Sequence, residues 1–141
     1  MASPRPPFRA DHVGSLLRPP ALKALRLEVE AGRASAAELA AAEDAAIREA
    51  VRQQEDVGLL GVTDGEMRRK SWHMDFLTRL GGLASEGKQL PVTFHGRAGD
   101  VNFTRPDLRI ASRVGRPVPI FVDALRFLRS VTSRTAKLTI P

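Results

Sequence analysis

The 141-residue sequence contains no cysteine, which excludes disulfides, thiolate nucleophiles and cysteine-ligated zinc from this chain. The same absence favours a cytoplasmic location. No apolar run approaches the roughly 20 residues that span a bilayer, and the first ten residues lack the apolar centre of a signal peptide. A soluble protein with no membrane partner is therefore expected. Lysine is scarce: Lys23, Lys70, Lys88 and Lys137 are the only four among 22 basic residues, and the rest are arginines scattered along the chain. The densest basic group, RRK at 68–70, is three residues long, so the net charge of +6 does not form the stripe that tracks a phosphate backbone, and no nucleic-acid partner is expected. The patterns H-x-x-x-H, G-x-x-x-x-G-K-[ST] and G-x-S-x-G are missing too, which leaves zincin, P-loop and nucleophile-elbow chemistry without support.

What is present reads as globular. The hydrophobic fraction of 43% and charged fraction of 27% are ordinary for a folded domain, and the length suits one domain rather than two. In PPALKALRLEVEAG, Leu22, Leu25 and Val29 fall at helical spacing between prolines and Gly32, which predicts a helix. Ser35 and Glu38 form an S-x-x-E capping box ahead of an alanine-rich helix that ends at Gly58, with Leu39, Ile47, Val51 and Val57 on one face. Residues 59–62 read as a short buried strand. Trp72, Phe76, Leu77 and Leu80 mark a further helix closed by Gly81 and Gly82, with Trp72 in the core. Alternating β-branched and polar residues over 88–119 predict an antiparallel hairpin or excursion. The stretch IFVDALRFLRSVT is helical, and AKLTIP is strand-like.

With a first strand centred near His12 and Val13, the order becomes strand, helices, strand, helix, hairpin, helix, strand. Repeated strand–helix units imply an α/β protein with parallel strands. A closed (β/α)8 barrel of the TIM type needs about 250 residues. Residues 1–141 are thus expected to form a single incomplete domain, a partial barrel of three β/α units with a β-hairpin excursion.

Ligands of α/β proteins gather where parallel strands end at their C-terminal edge. Two turns meet that condition: HVGS at 12–15 and TDGE at 63–66. Glycine permits close backbone approach, the Ser15 hydroxyl donates or accepts, and a carboxylate such as Glu66 can hold an ammonium group. The pair suits a zwitterion. Read alone, a D-G dipeptide is more often a plain turn, and His12, His73 and His95 are more often structural than functional.

The blocks FRADHVGSLLRP, GVTDGEMRRKSWHMDFL and RFLRSVTSRTAKLTIP, in that order, resemble the N-terminal part of the cobalamin-independent methionine synthase family, in particular its short single-barrel members. The resemblance implies a barrel in which a zinc-bound homocysteine thiolate attacks a methyl group, commonly that of 5-methyltetrahydrofolate. It also implies that the turn matching Val13, Gly14 and Ser15 binds the amino-acid part of homocysteine, that Glu66 holds the ammonium, and that His12 and Asp64 orient the site. The family's zinc ligands are a histidine, a cysteine and an acidic residue from later strands, so no metal ligand and no catalytic residue is assigned to this chain. A truncated or split member, or a fragment of a longer reading frame, is the expectation.

Two other readings stay open. One is an alkyltransferase of the same fold acting on another thiol, such as coenzyme M. The other is a non-catalytic helical module that packs residues 35–57 on a partner. An unfinished barrel would expose apolar surface under either reading, so self-association or a completing chain is expected.

Overall fold

Proline and a reciprocal cap decide where the two long helices begin. The computed structural model describes residue 6 and residues 8–141. Helix α1, Pro20–Glu30, starts on a proline whose missing N–H costs nothing at the first helical position. Helix α2, Ala36–Asp56, starts at the predicted capping box. The Ser35 hydroxyl accepts the Glu38 N–H at 3.1 Å, and the Glu38 carboxylate accepts the Ser35 N–H at 2.7 Å. The remaining elements are β1 (Gly61–Val62), α3 (Met74–Leu77), β2 (Gly81–Ala84), β3 (Gln89–Gly96), β4 (Gly99–Pro106), β5 (Arg109–Gly115), α4 (Val122–Ser130) and β6 (Thr135–Ala136).

The chain divides into two compact units, one running to Asp75 and resuming at Phe121–Pro141, the other Phe76–Ile120. In the first, Leu22, Ile47, Ala50, Val51, Val62, Met67 and Leu128 form one buried cluster. Ile47 and Leu128 are fully enclosed, each contributing about 1.5–3 kcal/mol of burial. Alanines at 42, 46 and 50 let α2 approach this cluster closely. Strands β1 and β6 pair in parallel, with Gly61 opposite Thr135 and Val62 opposite Ala136.

In the second unit β2 pairs antiparallel with β5, with an irregularity between Gly81 and Leu83. Strands β3 and β4 form an antiparallel hairpin in register from Gln89–Pro106 to Gly96–Gly99. Strand alternation sorts its two faces. One carries Leu90, Val92, Phe94, Val101 and Phe103, with the two phenylalanine rings stacked 5.3 Å apart. The other carries Thr93 bonded to Asn102 and His95 bonded to Asp100.

The result is a mixed α/β structure which, among the described residues, has three two-stranded sheets, with β1 and β6 the parallel pair. The expected parallel three-stranded start of a barrel is not seen among the described residues. No strand is assigned at His12 and Val13, because that segment's carbonyls are taken by side chains rather than by a ladder. Lys137 Nζ donates to the His12 carbonyl, Thr139 Oγ1 to that of Val13 at 3.2 Å, and Thr63 Oγ1 to that of Gly14 at 2.7 Å. The predicted helix around 72–80 shrinks to α3. There the Asp75 carboxylate accepts the N–H groups of Lys70 and Ser71, holding the preceding residues in turns. Trp72 is 58% exposed rather than in the core, and Val57 lies beyond the last turn of α2 and is exposed.

Candidate functional site

The HVGS and TDGE turns lie directly against each other in the first unit. Thr63, at the end of β1, donates to the Gly14 carbonyl and accepts the Gly65 N–H at 3.1 Å, so one buried hydroxyl ties both turns. The Gly65 carbonyl in turn accepts the Leu16 N–H at 3.0 Å. Gly14 is required by this approach: a Cβ there would stand 2.2 Å from Thr139 Oγ1. Gln54 of α2 holds Thr63 from the other side. Its amide nitrogen donates to the Thr63 carbonyl and its oxygen accepts the Thr63 N–H, both at 2.9 Å. His12 Nε2 donates to the Ser15 carbonyl at 2.8 Å, closing the first turn, and the Ser15 side chain stays exposed.

Glu66 is the most constrained residue of the site. It is 2% exposed and adopts a left-handed backbone, φ 55°, a conformation that costs a non-glycine residue about 1–3 kcal/mol and persists only where neighbours over-determine it. The neighbours do so on three sides. The Asp64 carboxylate accepts the Glu66 N–H at 2.9 Å, Arg18 Nη2 donates to the Glu66 carbonyl at 3.0 Å, and Arg69 Nη1 donates to Glu66 Oε1 at 3.3 Å. The fourth group, Glu66 Oε2, is buried and has no hydrogen-bond partner among the described residues.

Three arginines support this arrangement. Arg69 is buried, donates also to the Thr139 carbonyl, and lies 4.2 Å from the centroid of the Phe121 ring. Arg26 of α1 donates to the carbonyls of Arg69 at 3.0 Å and Met67 at 2.9 Å, and pairs with Glu43 of α2 at 2.8 Å. Burial pulls the Arg18 guanidinium below the ordinary arginine value; Arg26 adds to that, and Glu66 opposes it. The Arg18 Nε is the other buried side-chain polar atom, among the described residues, that lacks a partner.

The structure thus brings His12, Val13, Gly14, Ser15, Asp64 and Glu66 into one place. Among the described residues no bond joins His73 or His95 to these: His73 bonds the Ser71 hydroxyl, and His95 sits on the hairpin of the second unit with Asp100. Thr63, Gln54, Arg18, Arg26 and Arg69 were not singled out by the sequence reading. Glu43, Ile47, Ala50, Val51 and Gln54 are the buried residues of α2, and polar residues at core spacing on a helix are a signal that could have found Glu43 and Gln54. Among the described residues no three histidine, aspartate or glutamate side chains cluster closely enough to hold a metal ion, and there is no cysteine. A zinc site does not fit the residues here.

No family model matches the chain. It is 36% identical over 138 residues to the uncharacterized protein YxjG of Bacillus subtilis, covering 97% of this chain and 35% of YxjG. It is 30% identical over 134 residues to a 5-methyltetrahydropteroyltriglutamate–homocysteine methyltransferase of Synechococcus sp., covering 94% of this chain and 17% of the relative. Among solved structures, a Listeria monocytogenes protein assigned as a vitamin-B12-independent methionine synthase matches with a TM-score of 0.73 and 34% identity, over 96% of this chain and 36% of that one. The chain therefore spans about a third of the length of the first of these relatives.

Proposed function

The chain is homologous to the N-terminal part of cobalamin-independent methionine synthases, and from that premise we propose that it supplies the amino-acid-binding portion of a methyltransferase acting on the thiol of homocysteine. The observation that carries this reading is Glu66: a buried carboxylate, fixed at three of its polar groups, with Oε2 left unpaired among the described residues, in a turn that Thr63 and Leu16 tie to the Gly14–Ser15 turn. A buried acceptor without a partner costs about 1–3 kcal/mol. An ammonium group removes that cost and adds a charge-assisted hydrogen bond. The Ser15 hydroxyl and the turn around it then meet the rest of the amino acid. A thiol such as coenzyme M, which has no ammonium, leaves Oε2 unsatisfied.

In this role the residues bind and orient. Asp64, Arg18 and Arg69 hold the Glu66 backbone and carboxylate, Thr63 fixes the distance between the two turns, and His12 keeps the Ser15 turn closed. Positioning of this kind supplies part of a barrier reduction without bond-making by the protein. The zinc that would favour the thiolate and the methyl donor, 5-methyltetrahydrofolate in this proposal, are assigned to segments that the longer relatives have beyond the shared third. In this proposal turnover needs those segments as well, and residues 1–141 bind and orient the amino acid. Titration calorimetry with homocysteine tests the reading: binding by the chain, weakened about 10-fold or more in E66Q, supports it, and equal binding by E66Q removes Glu66 from the site.

A further inference from the structure

Two buried side-chain atoms lack partners among the described residues, and they are of opposite character: Arg18 Nε, a donor on a cation, and Glu66 Oε2, an acceptor on an anion. Both belong to the same site, because Arg18 Nη2 is bonded to the carbonyl of Glu66 itself. Native structures leave few buried polar atoms unpaired, and those that remain call for a specific explanation. The two groups do not satisfy each other. Arg18 uses Nη2 on the Glu66 backbone, and among the described residues the Glu66 carboxylate takes its hydrogen bond from Arg69.

We propose that Arg18 is the anion-binding counterpart of Glu66, its Nε–H meeting the carboxylate of an α-amino acid whose ammonium group meets Glu66 Oε2. The inference rests on the amino-acid reading of the site given above and adds to it a residue that sets specificity. Anchoring through Nη2 makes Arg18 suited to the task, since a guanidinium held at one nitrogen presents its remaining donors in a fixed plane. Burial, which already disfavours its charge, gives the cation a further reason to pair with an anion. One ligand with opposite charges on neighbouring groups satisfies both atoms together. A thiol with only a carboxylate, or only an amine, leaves one of them unpaired.

Both atoms are closed to solvent, so the ligand enters with a local opening. Opening adds little apolar exposure at Val13 and Leu17, which are already 82% and 92% exposed. Its cost lies in the bonds from Thr63 to the Gly14 carbonyl and from the Leu16 N–H to the Gly65 carbonyl, and in the packing of Leu16 on the core.

The test is calorimetric titration of the 141-residue chain with three thiols: homocysteine, 3-aminopropane-1-thiol, which lacks the carboxylate, and 4-mercaptobutyrate, which lacks the ammonium. For the wild-type chain the expected order is homocysteine tightest, with each truncated thiol about 10-fold to 100-fold weaker, the range of one lost charge-assisted hydrogen bond. In R18Q, homocysteine should weaken by a similar factor while 3-aminopropane-1-thiol is unchanged. E66Q should show the converse, sparing 4-mercaptobutyrate. Equal wild-type affinity for homocysteine and 3-aminopropane-1-thiol overturns the role of Arg18 without any variant. Equal weakening of both by R18Q also overturns it, since Arg18 would then act only by positioning Glu66. If E66Q weakens homocysteine and R18Q does not, this inference fails and the amino-acid reading stands. If the wild-type chain binds none of the three, both fall.

Discussion

The Thr63 hydroxyl donates to the Gly14 carbonyl across 49 positions of sequence, at 2.7 Å, in a fully buried setting. The same oxygen accepts the Gly65 N–H, so a single side chain sets the spacing of the two turns that form the candidate site. Replacing it with valine keeps the shape and removes both bonds. T63V should lose about 1–3 kcal/mol of stability, read as a lower urea midpoint, and should weaken homocysteine binding, whereas T63S keeps the hydroxyl and most of both properties.

At Gly14 the constraint is steric. A methyl group would collide with Thr139 Oγ1, and overpacking of this kind costs about 1–3 kcal/mol. G14A should therefore melt at a lower temperature. Because Thr139 is the residue it strikes, G14A/T139A should be less destabilised than the sum of the single changes. Simple additivity would show that the clash relaxes elsewhere.

Arg69 links the two non-glycine residues with left-handed backbones among the described residues, Glu66 and Phe121, through an ion pair with one and a cation–ring contact with the other. R69M takes away the cation hydrogen-bonded to the buried Glu66 carboxylate and should cost about 3–5 kcal/mol in urea unfolding. E66Q/R69M removes the stranded charge and should recover a large part of that loss. Recovery would separate the electrostatic role of Arg69 from its packing.

Acid should weaken the fold through exposed carboxylates that the folded chain holds below their usual range. Glu28 is held down by Arg33, Glu38 by the Ser35 N–H and hydroxyl, Glu49 by Arg52 and Gln53, and Asp107 by the Ser85 hydroxyl. Each binds its proton more weakly folded than unfolded. Its stabilisation is therefore complete above the unfolded value, about 4, and fades as pH falls through the lower folded value. Urea midpoints should stay level above about pH 5 as far as these groups decide, and fall below about pH 4. S35A should start about 1 kcal/mol lower and show a slightly shallower acid decline, because Glu38 loses the hydroxyl while keeping the N–H of residue 35.

Local rules were enough for α1, α2 and α4 and for both turns. Pro20, the Ser35–Glu38 box and the spacing of residues 122–130 are short-range signals, and the structure honours them. The alternation over 88–119 predicted an antiparallel hairpin for the same reason, and one forms over 89–106. The strand at His12 and Val13 failed because being a strand depends on a partner far along the chain, and side chains from 63, 137 and 139 took its carbonyls first. Trp72 misled because an aromatic among apolar neighbours carries no record of how long its helix will be. In the site, Glu66 and Ser15 were visible as residue types in a turn. Arg18, Arg26 and Arg69 were not, since a buried arginine is distinguished only by carbonyls that come to it from distant positions.

Gln54 has a consequence for how the small parallel sheet meets its surroundings. The carbonyls of Leu60 and Val62 accept N–H groups from Thr135 and Lys137, and alternation along a strand turns the main-chain groups of Thr63 toward the opposite edge. There the Gln54 amide acts as a one-residue mimic of a neighbouring strand, taking both the N–H and the C=O of Thr63. An open edge is a template on which foreign chains can polymerise. At Thr63 that template is sealed from within by a helix side chain, and exchanging Gln54 for leucine would strand the N–H and C=O of Thr63 in a closed interior.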